Sequence, residues 1–177
     1  MESFILKNEQ EVFIRKLQIS DYEQVVDYLR KVSTETVFLN QYPGQPDMPI
    51  EKAKKAYEDE NSVFYGAFLP TGTLIGTVSL GIGKPGHPWV GRNAEFGISI
   101  LKEFNSLGLG TRFMELIENW AKERQLHTIN GRVRCKNTKA IGLYLKQGFE
   151  ICGHLKETAL INNQWHDEYV ISKIIKE

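Results

Sequence analysis

The hydrophobic pattern changes character once in the middle of the chain, and that change constrains the architecture more than any other feature. Ala94 to Leu101, with FGISIL at its apolar end, reads as a strand. From Leu109 the apolar residues fall at Phe113, Leu116, Ile117, Trp120 and Ala121, which is one face of a helix. The stretch between, FNSLGLGT from Phe104 to Thr111, must carry the chain from strand into helix. Gly108 and Gly110 in that position have two readings. They make an ordinary connection, or they make a cradle for phosphate, because the first amides of a helix lack intrahelical acceptors and the helix dipole favours an anion there. The glycines alone leave both open.

The flanking sequence supplies the rest of the order. Phe13 to Leu17 alternates as a strand, and Ser20-Asp21 offers a cap for the amphipathic run Tyr22, Val25, Val26, Leu29. STETVFLNQYPGQPDMPI, residues 33 to 50, is rich in proline and reads as a loop with a short helix around Thr36 to Leu39, leading into a helix over 51 to 60. Val63 to Leu69 and Leu74 to Leu80 form a hairpin around PTGT. Downstream come a strand from Thr128 to Cys135 and a short helix from Thr138 to Gln147, ended by Gly148. Two closing strands, Glu150 to Leu160 and Glu168 to Ile175, surround an NNQ turn. No repeat or low-complexity linker interrupts the series, and 177 residues suit one domain. The order predicts a single mixed α/β layered domain over residues 1–177.

Composition narrows the partners. Lys plus Arg and Asp plus Glu are both 22, so the formal charge is zero and no general attraction to nucleic acid or to an anionic membrane is encoded. Cys135 and Cys152 match no metal-ligand spacing, the N-terminus reads without a secretory leader, and no apolar run is long enough to span a bilayer. A soluble, cytoplasmic protein that binds neither nucleic acid nor membrane is the expectation.

A literal GxGxxG at Gly81, Gly83 and Gly86 is rejected as a dinucleotide site, because Pro85 and Pro88 flank its last glycine and no amphipathic helix follows. The second glycine stretch is no P-loop either, since no Gly-Lys-Ser/Thr follows it. What decides between turn and cradle lies downstream in VRCKNTKAIGLYLKQGFE. Asn105-Ser106-Leu107-Gly108-Leu109-Gly110 followed by Asn137, Ala140, Tyr144, Gly148 and Phe149 resembles the paired motifs of the GNAT superfamily of acyl-CoA-dependent N-acetyltransferases. Those are Q/R-x-x-G-x-G/A and N-x-x-A-x-x-x-Y-x-x-x-G-F. The resemblance covers nearly the whole chain. It implies a central mixed, mostly antiparallel twisted sheet of about seven strands with about four helices. Asn105 departs from the family's Gln or Arg.

The resemblance also assigns roles. Acetyl-CoA is the implied cosubstrate, with no metal required. Its pantetheine arm is expected along Ile98, Ser99 and Ile100, where a backbone N–H, that of Ile100, would meet the carbonyl oxygen as charge develops. Its pyrophosphate is expected over Asn105, Ser106, Leu107, Gly108, Leu109, Gly110 and Thr111, with Asn137 near the pantetheine and Lys139 adding positive charge. Tyr144 matches the family's general acid: a phenol of pKa about 10 can donate to a thiolate whose parent thiol lies near 8.5. Glu95 is the candidate base, with a strand-end salt bridge as its competing role. Where some protein N-terminal acetyltransferases place a glutamate, five residues before the asparagine, this chain has Arg132.

Phe38, Tyr42 and Trp165 are the expected walls of the acceptor site, and Glu35, Asp167 and Glu168 are carboxylates that could attract a cation. The implied reaction is direct transfer of an acetyl group to a primary amine of a small molecule. A peptide or protein N-terminal acetyltransferase and a non-catalytic acyl-CoA-binding module are the alternatives. The sequence leaves the oligomeric state open, a homodimer included.

Overall fold

Met1–Ile175 are described by a computed structural model. Its contacts divide the chain into two units: Met1–Gly81 with Gly97–Ile117, and Ile82–Phe96 with the residues from Glu118 onward.

The first unit opens with β1 (Glu2–Ile5) and β2 (Glu11–Lys16), paired antiparallel, then α1 (Tyr22–Glu35) and α2 (Ile50–Glu58). β3 (Ser62–Phe68) pairs antiparallel with β2 and with β4 (Leu74–Ile82), the expected hairpin. β1 was not expected. At four residues, with charged neighbours and only alternate residues half-buried, it is too short for its period to stand out. Asp21 stands where a cap was anticipated, just before Tyr22, but its carboxylate takes another partner. Arg15 grips it from two nitrogens, 2.6 and 2.7 Å away, and the Gln18 N–H donates to it at 2.9 Å. The pair fixes the entry of α1 to the end of β2. The expected short helix at Thr36 to Leu39 is absent. Thr36 is extended, with φ −153°, and its hydroxyl accepts the Phe38 N–H at 3.1 Å, a local bond that competes with helical pairing.

β5 (Asn93–Ile100) and α3 (Leu109–Glu123) each contribute to both units. The second unit adds β6 (Thr128–Arg134), α4 (Thr138–Lys146), β7 (Glu150–Ile161) and β8 (Gln164–Ile174). β5 and β6 are parallel, whereas β8 runs antiparallel to both β6 and β7. Asn162 and Asn163 turn the last hairpin with φ of 50° and 59°, the left-handed pair that a two-residue loop demands. The hydrogen-bonded order is β1-β2-β3-β4-β5-β6-β8-β7, eight strands where about seven were expected, the addition being β1.

Burial follows the periods that the sequence shows. Val12 and Ile14 on β2, Val25, Val26 and Val32 on α1, and Phe113 and Ile117 on α3 are buried in the first unit. Ile129 and Val133 on β6, Ile171 on β8, and Trp120 and Ala121 on α3 are buried in the second. Each fully buried large side chain contributes roughly 1.5–3 kcal/mol relative to exposure. In the first unit, Gly76 on β4 lets α3 settle against the strand, because a Cβ there would stand 3.1 Å from Phe113. No helix among the described residues is long and apolar enough to cross a membrane.

Candidate active site

In the first unit, β5 runs through Ile98, Ser99 and Ile100 into a short turn, Lys102–Phe104, and then into Asn105 to Thr111 at the mouth of α3. Ser106 and Gly108 are left-handed, with φ of 65° and 96°, so the backbone reverses twice before the helix begins. The Leu107 carbonyl accepts the Lys7 N–H at 3.0 Å, which ties the turn to the segment after β1. The Arg112 N–H donates to the Gly108 carbonyl at 3.1 Å, while amides within the first turn have no acceptor in their own helix. Asn105 is exposed at the end of the short turn, its N–H bonded to Lys102 O. Arg112 holds Glu2 through two bonds of 2.7 Å and Glu115 through one of 2.8 Å. These carboxylates push its pKa further up, and its charge braces β1 against α3.

The β5–β6 ladder in the second unit comprises Asn93–Thr128, Ala94–Ile129 and Glu95–Asn130. In the first unit Ile98 to Ile100 stand next to β4 in the strand order. The Leu101 N–H donates to Ile75 O on β4 at 3.0 Å, so the preceding amide, that of Ile100, points away from β4. The Ser99 hydroxyl sits in a chain that sequence reasoning missed: it lies 2.9 Å from the Tyr28 phenol and 3.1 Å from the Thr77 hydroxyl. Tyr28 is buried, and desolvation drives its pKa well above the usual value despite these hydroxyls.

Tyr144 lies in the second unit, on α4, and is 5% exposed. Its ring meets Phe96 at 5.2 Å and Phe149 at 6.0 Å between centroids, and Phe96 meets Phe149 at 5.4 Å. Burial among these rings raises the phenol well above its ordinary pKa, so it holds its proton throughout the neutral range. Asn137 caps α4, its Oδ1 accepting the Ala140 N–H at 3.2 Å. Lys139, in the first turn of α4, is exposed. Glu95 is exposed and makes no ion pair with a described residue, so the competing salt bridge is not formed. Since Phe96 turns toward Tyr144, its neighbour Glu95 turns to the opposite face of β5. The candidate acid and base therefore belong to opposite faces of one strand.

Of the expected acceptor residues, Phe38 and Tyr42 belong to the first unit and Trp165 to the second. Phe38 is half-buried in the loop after α1, while Tyr42 and Trp165 are 58% and 56% exposed. A cavity of about 290 Å³ lies between α1, α2 and the loop at 41–49, and neither Phe38 nor Tyr42 lines it. All three carboxylates considered for a cation are engaged. Glu35 accepts the Lys102 N–H at 2.7 Å, Asp167 accepts the Glu157 N–H at 2.9 Å and contacts His154 at 2.7 Å, and Glu168 is buried against Arg134. Trp89 is 90% exposed on the loop after β4, where the literal GxGxxG leads into turns and no helix.

The model of the acetyltransferase (GNAT) family matches residues 22–149, and the chain belongs to that family. It is 28% identical over 107 residues to the L-amino acid N-acetyltransferase AaaT of Escherichia coli, a match covering 58% of this chain and 63% of that protein. The match thus spans less than two thirds of that relative. Among solved structures, the GNAT acetyltransferase of Streptococcus pneumoniae superposes with a TM-score of 0.85 at 26% identity, covering 93% of this chain and 99% of that one. The phosphinothricin acetyltransferase of Sinorhizobium meliloti, solved with acetyl-CoA, shares the fold with a TM-score of 0.82 at 14% identity, covering 94% and 89%.

Proposed function

We propose that this protein transfers an acetyl group from acetyl-CoA to a primary amine of a small molecule, directly and without a covalent enzyme intermediate, and that residues 1–177 act as one acetyltransferase domain. The observation that carries this is the double left-handed turn at Ser106 and Gly108 delivering unpaired first-turn amides of α3, the donor set an anion needs. It sits within the family match, and a relative named for amino acid N-acetylation supports a small acceptor.

Acetyl-CoA supplies the acyl group as a thioester when bound. The residues that would hold it are Ile98, Ser99 and Ile100 along β5, Asn105 to Thr111 at the turn, and Asn137 with Lys139 at the start of α4. Glu95 takes the proton from the acceptor ammonium, directly or through one water. The Ile100 N–H, aimed away from β4, donates to oxygen as it gains charge. As the C–N bond forms and the C–S bond breaks, Tyr144 would give its phenolic proton to the departing thiolate, and the second proton shed by the acylated nitrogen would return through solvent to restore the phenol. Phe38, Tyr42 and Trp165 contribute walls to the acceptor region.

Two measurements test the proposal. Calorimetric titration with acetyl-CoA should show binding, and thiol release across a panel of amino acids, amines and peptides should show turnover on small amines. Tyr144→Phe should lower kcat by about 10²–10⁴ while leaving acetyl-CoA affinity near wild type. Binding with no turnover on any acceptor would make the protein a non-catalytic acyl-CoA module, and turnover confined to peptides would replace the small-molecule reading.

A further inference from the structure

We propose that Arg132 holds an acidic group of the acceptor beside its amine, so that the preferred acceptor is an α-amino acid or a similar anion-bearing amine. The proposal rests on the acetyltransferase reading and names the specificity residue of the same site.

Register places the residue. Glu95 on β5 pairs with Asn130 on β6, so the two side chains share a face of the second unit's sheet. Arg132 is two residues further along β6 and returns to that face, with its Cα about 8 Å from that of Glu95 by ordinary strand spacing. The opposite face of β6 is the buried apolar one, with Ile129 and Val133. A base for the amine and a cation for an acid group thus stand within the span of one small zwitterion.

Four arginines are committed to carboxylates, and Arg132, like Arg92, is not among them. Arg15, Arg30, Arg112 and Arg134 each hold at least one carboxylate. Arg132 is exposed and has no hydrogen-bond or ion-pair partner among the described residues. Its neighbours across the ladder are Val170 on β8 and then Gly153 on β7, small and uncharged. The next rung, Arg134 with Glu168, is a buried pair that neutralises itself and offers Arg132 nothing. Beside Glu95 there is thus a guanidinium with no carboxylate bonded to it, which repels a second ammonium and can receive a carboxylate in a two-pronged hydrogen bond.

The test uses matched acceptors that differ by one carboxylate: leucine against isoamylamine, and methionine against 3-(methylthio)propylamine, each at saturating acetyl-CoA. The amino acid should exceed its amine by about tenfold or more in kcat/KM. Arg132→Ala should collapse that ratio toward one, chiefly by raising KM for the amino acid, and Arg132→Lys should fall between. Because Arg132 is exposed, the variants should keep the wild-type Tm. Calorimetric binding of the same acceptors to the CoA-loaded protein runs alongside. Amino acid binding that needs Arg132 but yields no turnover would refute the acetyltransferase reading and support the anion site. Preference for the amines, a ratio unchanged in Arg132→Ala, or neither binding nor turnover of the amino acids would overturn the proposal.

Discussion

The ring of Phe96 rests on the bare backbone of Gly131: a Cβ built on that glycine would lie 2.4 Å from Cε1 of Phe96. The absence of a side chain on β6 therefore sets the height of the Phe96 ring, and that ring in turn packs edge-on against Tyr144. A residue with no functional group thereby positions the candidate acid.

Gly131→Ala should accordingly act on both stability and rate. Phe96 cannot swing aside freely, because Tyr144 and Phe149 hold its other edges. Overpacking of this kind costs about 1–3 kcal/mol, read as a lower urea midpoint. Displacement of Tyr144 should lower kcat with little change in acetyl-CoA affinity. An alanine variant with wild-type midpoint and kcat would show that the cluster relaxes without consequence.

The two buried phenols predict a loss of stability in alkali. Desolvation raises both Tyr28 and Tyr144 above their ordinary value near 10, so above that pH the unfolded chain releases protons that the folded chain keeps. Their contribution is constant below about pH 10 and is lost as pH climbs toward the folded-state values, at about 1.4 kcal/mol per pH unit for each group. Urea midpoints from pH 8 to 11.5 should be level and then fall, and Tyr144→Phe should make the fall shallower by one proton. Equal slopes for the two proteins would mean that Tyr144 ionises normally in the folded state.

What could be read from the sequence was what periodicity and turn chemistry govern. The passage from FGISIL into the helix at Leu109 fixed the position of the glycine turn, and the Asn-Asn pair announced the last hairpin. Features that depend on register were closed to it. Phe96 meets Gly131 only because of how β5 and β6 align, and the hydroxyls of Tyr28, Thr77 and Ser99 converge from three elements far apart in sequence. The carboxylates misled for a related reason: Glu35, Asp167 and Glu168 have the charge to attract a cation, but each is taken up by a partner that only the fold supplies.

Gly108 offers a test of the cradle with an internal control. Its φ of 96° is costly for any residue with a Cβ, although the nearest atoms, Phe4 Cζ at 3.7 Å and Lys7 Cγ at 3.9 Å, leave room for one. Gly108→Ala should therefore cost about 1–2 kcal/mol through backbone strain alone. It should also weaken acetyl-CoA binding by about tenfold or more, because the amides that follow are turned away. Gly72→Ala, at φ 87° in the β3–β4 turn, should cost a similar stability and leave affinity unchanged. Equal effects of the two substitutions on affinity would deny the turn any special role.

The hydroxyl chain at Ser99 is best tested as a cycle. Tyr28→Phe removes one partner and should cost about 0.5–1.5 kcal/mol, whereas Ser99→Ala strips a buried phenol of its nearest partner and should cost more, about 1–3 kcal/mol. Once Ser99 is alanine, Tyr28→Phe should cost less, because the hydroxyl it deletes has already lost its Ser99 partner. The coupling between the two sites should therefore be at least about 0.5 kcal/mol. The kinetic expectation follows from position. Ser99 precedes Ile100, whose N–H points away from β4, so loosening Ser99 should blur the aim of that amide and lower kcat more than it raises KM for the acceptor. Additive stability effects would show that the hydroxyls do not act together, and an unchanged kcat would confine them to packing.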